Sequence, residues 1–200
     1  MNTGHPLILA SGSAYRRELL TRIAPNFSVK TSNINEKPRT DEKPYDIAVR
    51  LAEAKARAIA AEHPDAIVIG SDQVAAHNGN ALGKPGDFAT AVKQLSACAG
   101  DQVQFYTAVH VRCDTGAFAE TYVDTTTVHF RVLSPTEIEN YLRAEEPWDC
   151  AGSFKSEGLG IALFSSIDNK DPSALIGLPL IWLCGALRRA GHDPLFEPVN

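Results

Sequence analysis

The stretch from Ala66 to Val74 reads A-I-V-I-G-S-D-Q-V, and it constrains the fold more than any other part of the chain. Its short apolar run stops at Gly70, and the carboxylate of Asp72 follows two residues later. This pattern indicates a buried strand that carries Asp72 to the carboxyl end of a sheet, where open α/β folds place their ligand crevices. We therefore expect Asp72 to lie at the edge of a binding site.

Apolar segments of strand type alternate with segments of helix period along the rest of the chain, which is typical of α/β proteins. Besides the central strand, the pattern predicts strands over 6–10, 27–31, 103–112 and 122–132. It predicts helices over 13–23, 44–62, 87–99 and 179–190, and a further helix that begins after Ser134. Since no repeat, low-complexity tract or linker divides these elements, we predict a single domain over 1–200.

The composition argues against some classes of binding partner and indicates a cellular compartment. The 200 residues are 44% hydrophobic and carry a net charge of −5, which supports a large core and argues against broad nucleic-acid or anionic-membrane binding. Residues 1–17 lack a signal-peptide segment because Ser11 and Gly12 interrupt the apolar run, and no run reaches the roughly 20 residues of a membrane helix. The four cysteines are widely spaced, so we expect free thiols in a cytoplasmic protein.

Lys55 occupies an unusual place on the predicted helix over 44–62. The apolar stripe of that helix contains Leu51 and Ile59, and Lys55 falls in the middle of it. A lysine on an inward face must extend its ammonium group to solvent or find an anion. Lys55 therefore points to an anionic ligand, with a structural partner as the alternative.

A second candidate anion site follows the first predicted strand. Ser11, Gly12 and Ser13 are small residues ahead of a helix, and they would expose backbone N–H groups to a phosphate. Arg16 would add a guanidinium group to this site. The alternative is a helix that Ser13 caps, with Arg16 and Arg17 both in solvent.

Two further charged residues complete the candidate site. Lys84 lies in a Gly-Lys-Pro turn, where it is either a phosphate ligand or a solvated lysine. Glu36 and Asp72 together provide the two carboxylates that Mg²⁺ commonly uses beside substrate phosphates, although Asp72 alone is also compatible with a cap or turn. The chain lacks the G-x-x-x-x-G-K-[ST], G-x-G-x-x-G and H-E-x-x-H motifs, and His129 is more typical of a strand residue than of a metal ligand.

Taken in order, these segments resemble the Maf nucleotide pyrophosphatases from about Leu7 to Leu187. The resemblance is carried by Ser11-x-Ser13-x-x-Arg16, Glu36, Ala54-Lys55-Ala56, Ser71-Asp72-Gln73-Val74, Gly83-Lys84-Pro85, Ala151-Gly152-Ser153 and Gly177-Leu178-Pro179. It implies an α/β fold with an elongated mixed sheet flanked by helices and two lobes around a central cleft, similar to the inosine triphosphatases. It also implies a cytosolic homodimer that hydrolyses nucleoside triphosphates between the α and β phosphates.

The resemblance also implies roles for individual residues. Asp72 matches the catalytic proton acceptor, and Glu36, Lys55 and Lys84 match charged cleft residues that activity requires. Ser11, Ser13 and Arg16 match the substrate-binding turn. The resemblance also implies a divalent cation (Mg²⁺, Mn²⁺ or Co²⁺), for which Glu36, Asp72 or both are the candidate ligands.

Three residues make the chain similar to one branch of the family. Tyr15, Gln73 and Glu157 match the 7-methyl-GTP pyrophosphatases, which carry Trp at the position of Tyr15, whereas the dTTP and UTP pyrophosphatases carry Arg, Thr and Gln. The cation of 7-methylguanine suits an aromatic face, and its N1–H and N2–H₂ edge suits a carboxylate. Trp148 is a second stacking candidate, with a packed loop aromatic as the alternative. The alternative functions are a dTTP/UTP pyrophosphatase and a nucleotide-binding regulator of cell division.

Overall fold

A computed structural model describes residues 4–196 of the protein. Two predictions, the domain over 1–200 and the segment over 1–17, include residues that lie outside this described range. In chain order the strands and helices are β1 Leu7–Leu9, α1 Ala14–Thr21, β2 Ser28–Val29, α2 Pro44–Glu62, β3 Ile67–His77, β4 Asn80–Leu82, α3 Phe88–Cys98, β5 Gln102–Cys113, β6 Phe118–Phe130, α4 Pro135–Glu145, β7 Phe164–Asp168 and α5 Leu180–Arg189. Short 3₁₀ turns lie at Ala151–Ser153, Leu159–Leu163, Ala174–Ile176 and Pro194–Phe196.

The strands of residues 4–196 form one mixed sheet of seven, in the order β2-β1-β3-β5-β6-β7, with β4 also paired to β3. The pairings of β1 with β2 and β3 are parallel, and the remaining pairings are antiparallel. Because five α-helices flank this sheet, the predicted α/β class with a mixed sheet is confirmed. None of the helices in this part of the chain is long and apolar enough to span a membrane.

Two hydrophobic cores lie toward opposite ends of β5, in line with the predicted lobes. Val103 and Phe105 belong to a core with α3 and α4, whereas Val109 and Val111 belong to a core with α1 and α5. The central part of β5 lies between them, and its Ala108 packs in a smaller cluster with α2. The two lobes thus share the long strands β3 and β5 and leave room for a cleft between them.

Local signals set the ends of the helices as the sequence predicts. Pro44 occupies the first turn of α2, which ends at Glu62 as expected. Ser13 caps α1, and its hydroxyl accepts a hydrogen bond from the backbone N–H of Arg16. Ser134 and Glu137 form the predicted capping box at the start of α4. These local signals therefore begin the three helices where the sequence predicts.

The position of Asp72 corrects one expectation. Asp72 lies inside β3, which continues to His77, and does not follow the end of a strand. The antiparallel partner β5 pairs with β3 as far as Ala76, so the polar residues after Gly70 stay in the sheet. The parallel partner β1, in contrast, ends at Leu9 opposite Ile69. The crevice expected at the carboxyl end of a strand therefore lies at the end of β1 and not at the end of β3.

Two short strands were not predicted. β4 has three residues and pairs with Ala75–His77, and β7 is a largely exposed edge strand over Phe164–Asp168. Since β1 and β4 pair with the same edge of β3, residues 70–74 have no strand partner on that edge. This open section of β3, which we call the edge window, positions the site.

His110 is a buried polar residue that faces α2 beside the edge window. It pairs with Gly70 across β3 and β5, and its Nδ1 lies 2.8 Å from the Thr121 hydroxyl. Thr121 donates to Glu53, so His110 must donate from Nδ1. Its Nε2 is buried without a hydrogen-bond partner among the described residues. Burial lowers the pKa of His110; Glu53 opposes this, and Arg112 adds to it.

Candidate active site

A cleft of about 640 Å³ opens at the edge window between the two cores. It brings together nine of the ten predicted site residues: Ser13, Tyr15, Arg16, Glu36, Lys55, Asp72, Gln73, Lys84 and Glu157. The tenth, Ser11, is buried behind the cleft and contacts Arg16. Residues from α1, α2, β3 and four loops thus meet in one place, although they span most of the chain.

Lys55 and Asp72 form the buried centre of the cleft. The Lys55 ammonium group donates to Asp72 Oδ1 at 2.7 Å and lies 3.0 Å from Glu36 Oε1. Lys55 and Asp72 are each 8% exposed, whereas the Glu36 side chain is 56% exposed. The anion predicted for Lys55 is therefore a pair of carboxylates of the chain itself. Among the described residues no donor contacts Asp72 Oδ2, which leaves this oxygen for water or a ligand.

Arg16 is fixed in the wall of the cleft and is not a solvated side chain. Its Nε donates to the carbonyl of Gly177 at 2.9 Å, and its Nη1 lies 3.4 Å from the Ser11 hydroxyl. Burial lowers its pKa, whereas Asp72 and Glu36 act in the opposite direction. The Ser71 hydroxyl also donates to the Gly177 carbonyl, at 3.1 Å. Arg17, in contrast, is exposed, so the solvated alternative holds only for Arg17.

Lys84 reaches the cleft from the loop between β4 and α3. Lys84 is exposed, and Pro85 beside it is buried. The next residue, Gly86, donates its backbone N–H to the Trp148 carbonyl at 3.0 Å, which ties this loop to the segment after α4. Lys84 therefore lies at the rim, on a loop with a fixed base, where its ammonium group can approach an anion.

Gln73 points to the face of β3 opposite Asp72, because side chains alternate along a strand. Its Nε2 donates to Thr107 Oγ1 at 2.9 Å and to the carbonyls of Ala174 and Leu175 at 3.1 and 2.9 Å. Thr107 donates its own proton to the Ala174 carbonyl. A reversed amide would place Oε1 against two carbonyl oxygens, so the orientation is determined. The acceptor Oε1 is the polar atom left for a ligand.

Tyr15 also lines the cleft, and several acidic groups act on its hydroxyl. Burial raises the pKa of Tyr15, and Cys150, Glu157 and Asp149 raise it further. Glu157 is exposed, and its Oε2 accepts a hydrogen bond from the Ser156 hydroxyl at 3.0 Å. The cleft is therefore lined both by cationic side chains and by acceptors together with an aromatic ring.

Three residues at or near the cleft were not singled out by sequence reasoning. Cys150 lines it, but burial and then Asp149 raise the pKa of its thiol to about 12, so the thiol is protonated at neutral pH. The four cysteines of the chain are free thiols, as predicted. Asp149 also lines the cleft, and no pattern marked it. Thr107 is fully buried, and only the β3–β5 register reveals its contact with Gln73.

Two alternatives from the sequence are confirmed. Trp148 packs its ring edge-on against Phe88, with ring centroids 6.2 Å apart, and does not line the cleft. It is therefore a packed loop aromatic, as the alternative reading held. His129 is a residue of β6, and its Nε2 bonds with Asp168 at 2.9 Å.

The site fits a divalent cation only together with its substrate. Within residues 4–196 no group of three or more His, Cys, Asp or Glu side chains could hold a metal. Glu36 and Asp72 do approach one common position, since both contact the Lys55 ammonium. Two carboxylates completed by phosphate oxygens and water are the donor set that Mg²⁺ takes. The three cations Arg16, Lys55 and Lys84 exceed these carboxylates by one charge, which leaves a polyphosphate largely unneutralised.

Comparison with known proteins accounts for this arrangement. A family model described as Maf-like protein matches residues 6–190. The chain belongs to the Maf family. Curated relatives of this Maf protein include a protein of Albidiferax ferrireducens named 7-methyl-GTP pyrophosphatase, 55% identical over 92% of this chain and 93% of that protein.

Two other relatives carry the same name. The one from a Polaromonas species is 55% identical over 94% of this chain and 86% of its own length. The one from Xanthomonas oryzae pv. oryzae is 53% identical over 94% of this chain and 98% of its own length. The alignments thus cover more than nine tenths of this chain.

Proposed function

We propose that this Maf protein hydrolyses 7-methyl-GTP to 7-methyl-GMP and diphosphate, and so removes a modified nucleotide. The observation that carries the proposal is that one cleft is lined both by cationic side chains and by hydrogen-bond acceptors together with an aromatic ring. Arg16, Lys55 and Lys84 suit the triphosphate, whereas Gln73 Oε1 and Glu157 suit the N1–H and N2–H₂ donors of a guanine base. The name shared by relatives that are 50–55% identical supports the same substrate.

In the proposed reaction Asp72 acts as the base. Its Oδ1 is held by Lys55, and Oδ2 is left to orient a water molecule and accept its proton. The water oxygen bonds to the α phosphorus while the anhydride bond to the β phosphate breaks, and diphosphate leaves with the electron pair. Arg16 and Lys84 stabilise the charge that develops on the leaving group. Arg16 is held by Gly177 for this contact, so it needs little reorganisation.

A divalent cation, Mg²⁺, Mn²⁺ or Co²⁺, would be held by Glu36 and Asp72. When bound, it would supply the positive charge that the three side-chain cations lack against a triphosphate. Lys55 would then keep the two carboxylates oriented, because its ammonium group contacts both of them. Glu36 is the more exposed of the two and is able to adjust to the substrate.

Tyr15, Gln73 and Glu157 would account for a preference for 7-methylguanine. Its ring carries a positive charge that is attracted to the face of Tyr15 and to the carboxylates beside it. Its N1–H and N2–H₂ groups can donate to Glu157 and Gln73 Oε1. The O2 and O4 atoms of uracil or thymine would face acceptors instead, which disfavours dTTP and UTP.

The deciding experiment is a panel of 7-methyl-GTP, GTP, UTP and dTTP, each with Mg²⁺, Mn²⁺ and Co²⁺. We expect diphosphate release to be fastest with 7-methyl-GTP and to stop when the metal is chelated. Faster turnover of UTP or dTTP would replace the proposed substrate with a pyrimidine nucleotide. Tight binding without diphosphate release would favour a nucleotide-binding regulator.

Two variants test the residue roles separately. Asp72→Asn should keep the fold and lose turnover by about two orders of magnitude or more. Asp65→Asn, which changes an exposed turn carboxylate, is its matched control and should be neutral. Glu157→Gln should lower kcat/KM for 7-methyl-GTP more than for UTP. Near-normal turnover by Asp72→Asn, or equal losses in Glu157→Gln, would remove these assignments.

The proposal includes a cytoplasmic homodimer with one domain over 1–200 and no nucleic-acid or membrane partner. The family match over 6–190 supports the single domain, and the free cysteines are compatible with a reducing compartment. The net charge of −5 supports the absence of a polyanionic partner. Light scattering after gel filtration should give twice the chain mass of 21.6 kDa, and a monomer mass would refute the dimer.

A further inference from the structure

The loop over 155–159 carries Glu157, and the end of α4 holds it on both sides. The Tyr141 hydroxyl accepts a hydrogen bond from the Lys155 backbone N–H at 3.0 Å. The Lys155 ammonium group donates to the carbonyl of Glu145 at 2.8 Å. The Glu145 carboxylate accepts from the backbone N–H of Leu159 at 2.9 Å. Glu157 is thus flanked by two residues that are both tied to Glu145.

Two glycines let the loop pack tightly against these partners. A Cβ on Gly158 would lie 2.8 Å from both carboxylate oxygens of Glu145, and a Cβ on Gly160 would lie 2.3 Å from the Lys155 carbonyl oxygen. These approaches are too short for any other residue, unless the loop or Glu145 moves. The path of the backbone on either side of Glu157 therefore depends on the position of the Glu145 carboxylate.

Glu157 itself has little else to hold it. It is exposed, and its recorded side-chain hydrogen bond is to the adjacent Ser156, which moves with the same loop. Glu145 does not line the cleft, so it does not contact a ligand there. Any influence of Glu145 on the binding of the nucleobase must therefore pass through the loop or through the negative charge of its carboxylate.

We propose that Glu145 is a positioning residue, whose carboxylate fixes the 155–159 loop and thereby sets where Glu157 meets the nucleobase. This inference rests on the proposed function, because it assumes that Glu157 reads a base that donates hydrogen bonds. A carboxylate reads such an edge only when its oxygens are within hydrogen-bond distance and aligned with the N–H groups. A loop that is free to move would lose this alignment, whereas the contacts of the cationic side chains with the phosphates would stay intact.

The competing explanation is that Glu145 acts through its negative charge. It is one of several acidic groups near Tyr15, together with Glu157 and Asp149, and a cationic base would be attracted to all of them. The variant Glu145→Gln separates the two explanations. Its amide oxygen can still accept from Leu159, but its charge is gone.

The test compares Glu145→Ala, Glu145→Gln and Tyr141→Phe by steady-state kinetics with 7-methyl-GTP and UTP. For Glu145→Ala we expect kcat/KM for 7-methyl-GTP to fall roughly tenfold through KM, and that for UTP to change less than about twofold. Glu145→Gln should retain most of the selectivity, and Tyr141→Phe should lose part of it. Glu139→Ala, on the exposed face of α4, is the control and should match the wild type.

Hydrogen exchange of the peptide that contains residues 155–160 gives a second measurement, which does not depend on the substrate. It should be faster in Glu145→Ala than in the wild type and near normal in Glu145→Gln. Unchanged selectivity in Glu145→Ala, or equal losses in both Glu145 variants, would overturn the positioning role. If Glu157→Gln keeps its selectivity or the wild type does not prefer 7-methyl-GTP, the proposed function fails instead.

Discussion

The backbone of Gly70 in β3 packs directly against α2, and replacement of this glycine should loosen the site without altering a site residue. A Cβ on Gly70 would lie 2.3 Å from the carbonyl oxygen of Ala52 and 2.7 Å from the backbone nitrogen of Ala56. The first distance is about 1.1 Å short of the 3.4 Å at which ordinary van der Waals contact begins. Because both atoms belong to the backbone, no side-chain rotation relieves the overlap, and α2 must move as a whole.

The magnitude follows from this displacement. Overpacking a core costs about 1–3 kcal/mol where side chains can adjust, so we expect Gly70→Ala to lose about 3 kcal/mol of unfolding free energy. For a chain of this length, such a loss lowers Tm by about 6–12 °C. Lys55 precedes Ala56 on α2, so the 2.7 Å bond from its ammonium group to Asp72 should lengthen as well.

The assay combines thermal unfolding with turnover of 7-methyl-GTP at a temperature where the variant remains folded. Gly83→Ala is the matched control, since a Cβ there would meet no described heavy atom within 4 Å and the glycine has no positive φ. We expect its Tm to change by less than about 2 °C. If Gly70→Ala unfolds as the control does and keeps normal turnover, the close approach of α2 does not position Lys55.

Three smaller changes test the local interactions. Ser134→Ala removes the capping box of α4 and should cost about 1 kcal/mol in urea unfolding, whereas Thr136→Ala should cost less than half of that. Since burial lowers the pKa of His110, the unfolded chain takes up this proton at a higher pH than the folded chain does. The unfolding free energy should therefore fall as the pH drops below about 6.5, and Tm should decrease less in His110→Gln than in the wild type; parallel curves would contradict this. In Arg16→Lys the ammonium group cannot reproduce both contacts of the guanidinium group, with Gly177 and with Ser11. We therefore expect kcat/KM to fall about tenfold with Tm nearly unchanged. A normal kcat/KM would exclude a catalytic role for the Arg16 guanidinium group.

Sequence reasoning succeeded where the signal is local. The ends of α2 follow from Pro44 and from the apolar stripe, and the structure has the helix from Pro44 to Glu62. The caps at Ser13 and Ser134 depend on residues no more than three positions away. The inward position of Lys55 also follows from helix period alone, and its side chain is buried as expected.

Sequence reasoning failed where the position of a residue depends on which strands pair with each other. Asp72 was expected after a strand because polar residues follow Gly70, but β5 keeps these residues in the sheet. The edge window could not be predicted, since it requires the end of β1 at Leu9 and the start of the β4 pairing at Ala75. The sequence left open whether the anion beside Lys55 is a ligand or a structural partner, and the fold brings Asp72 and Glu36 to its ammonium group.

The edge window brings two adjacent residues of β3, whose side chains point to opposite faces of the sheet, into one cleft. Strand alternation sends Asp72 to the face that packs on α2 and Gln73 to the face that packs on the Ala174–Ile176 turn. In a fully paired strand the sheet would separate these faces, but here the cleft reaches both because β1 ends at Leu9. If the proposed roles hold, we expect base selection by Gln73 to be separable from the chemistry at Asp72. Exchanging Gln73 should change the preferred nucleotide while leaving the Lys55–Asp72 pair, and turnover at saturation, largely intact.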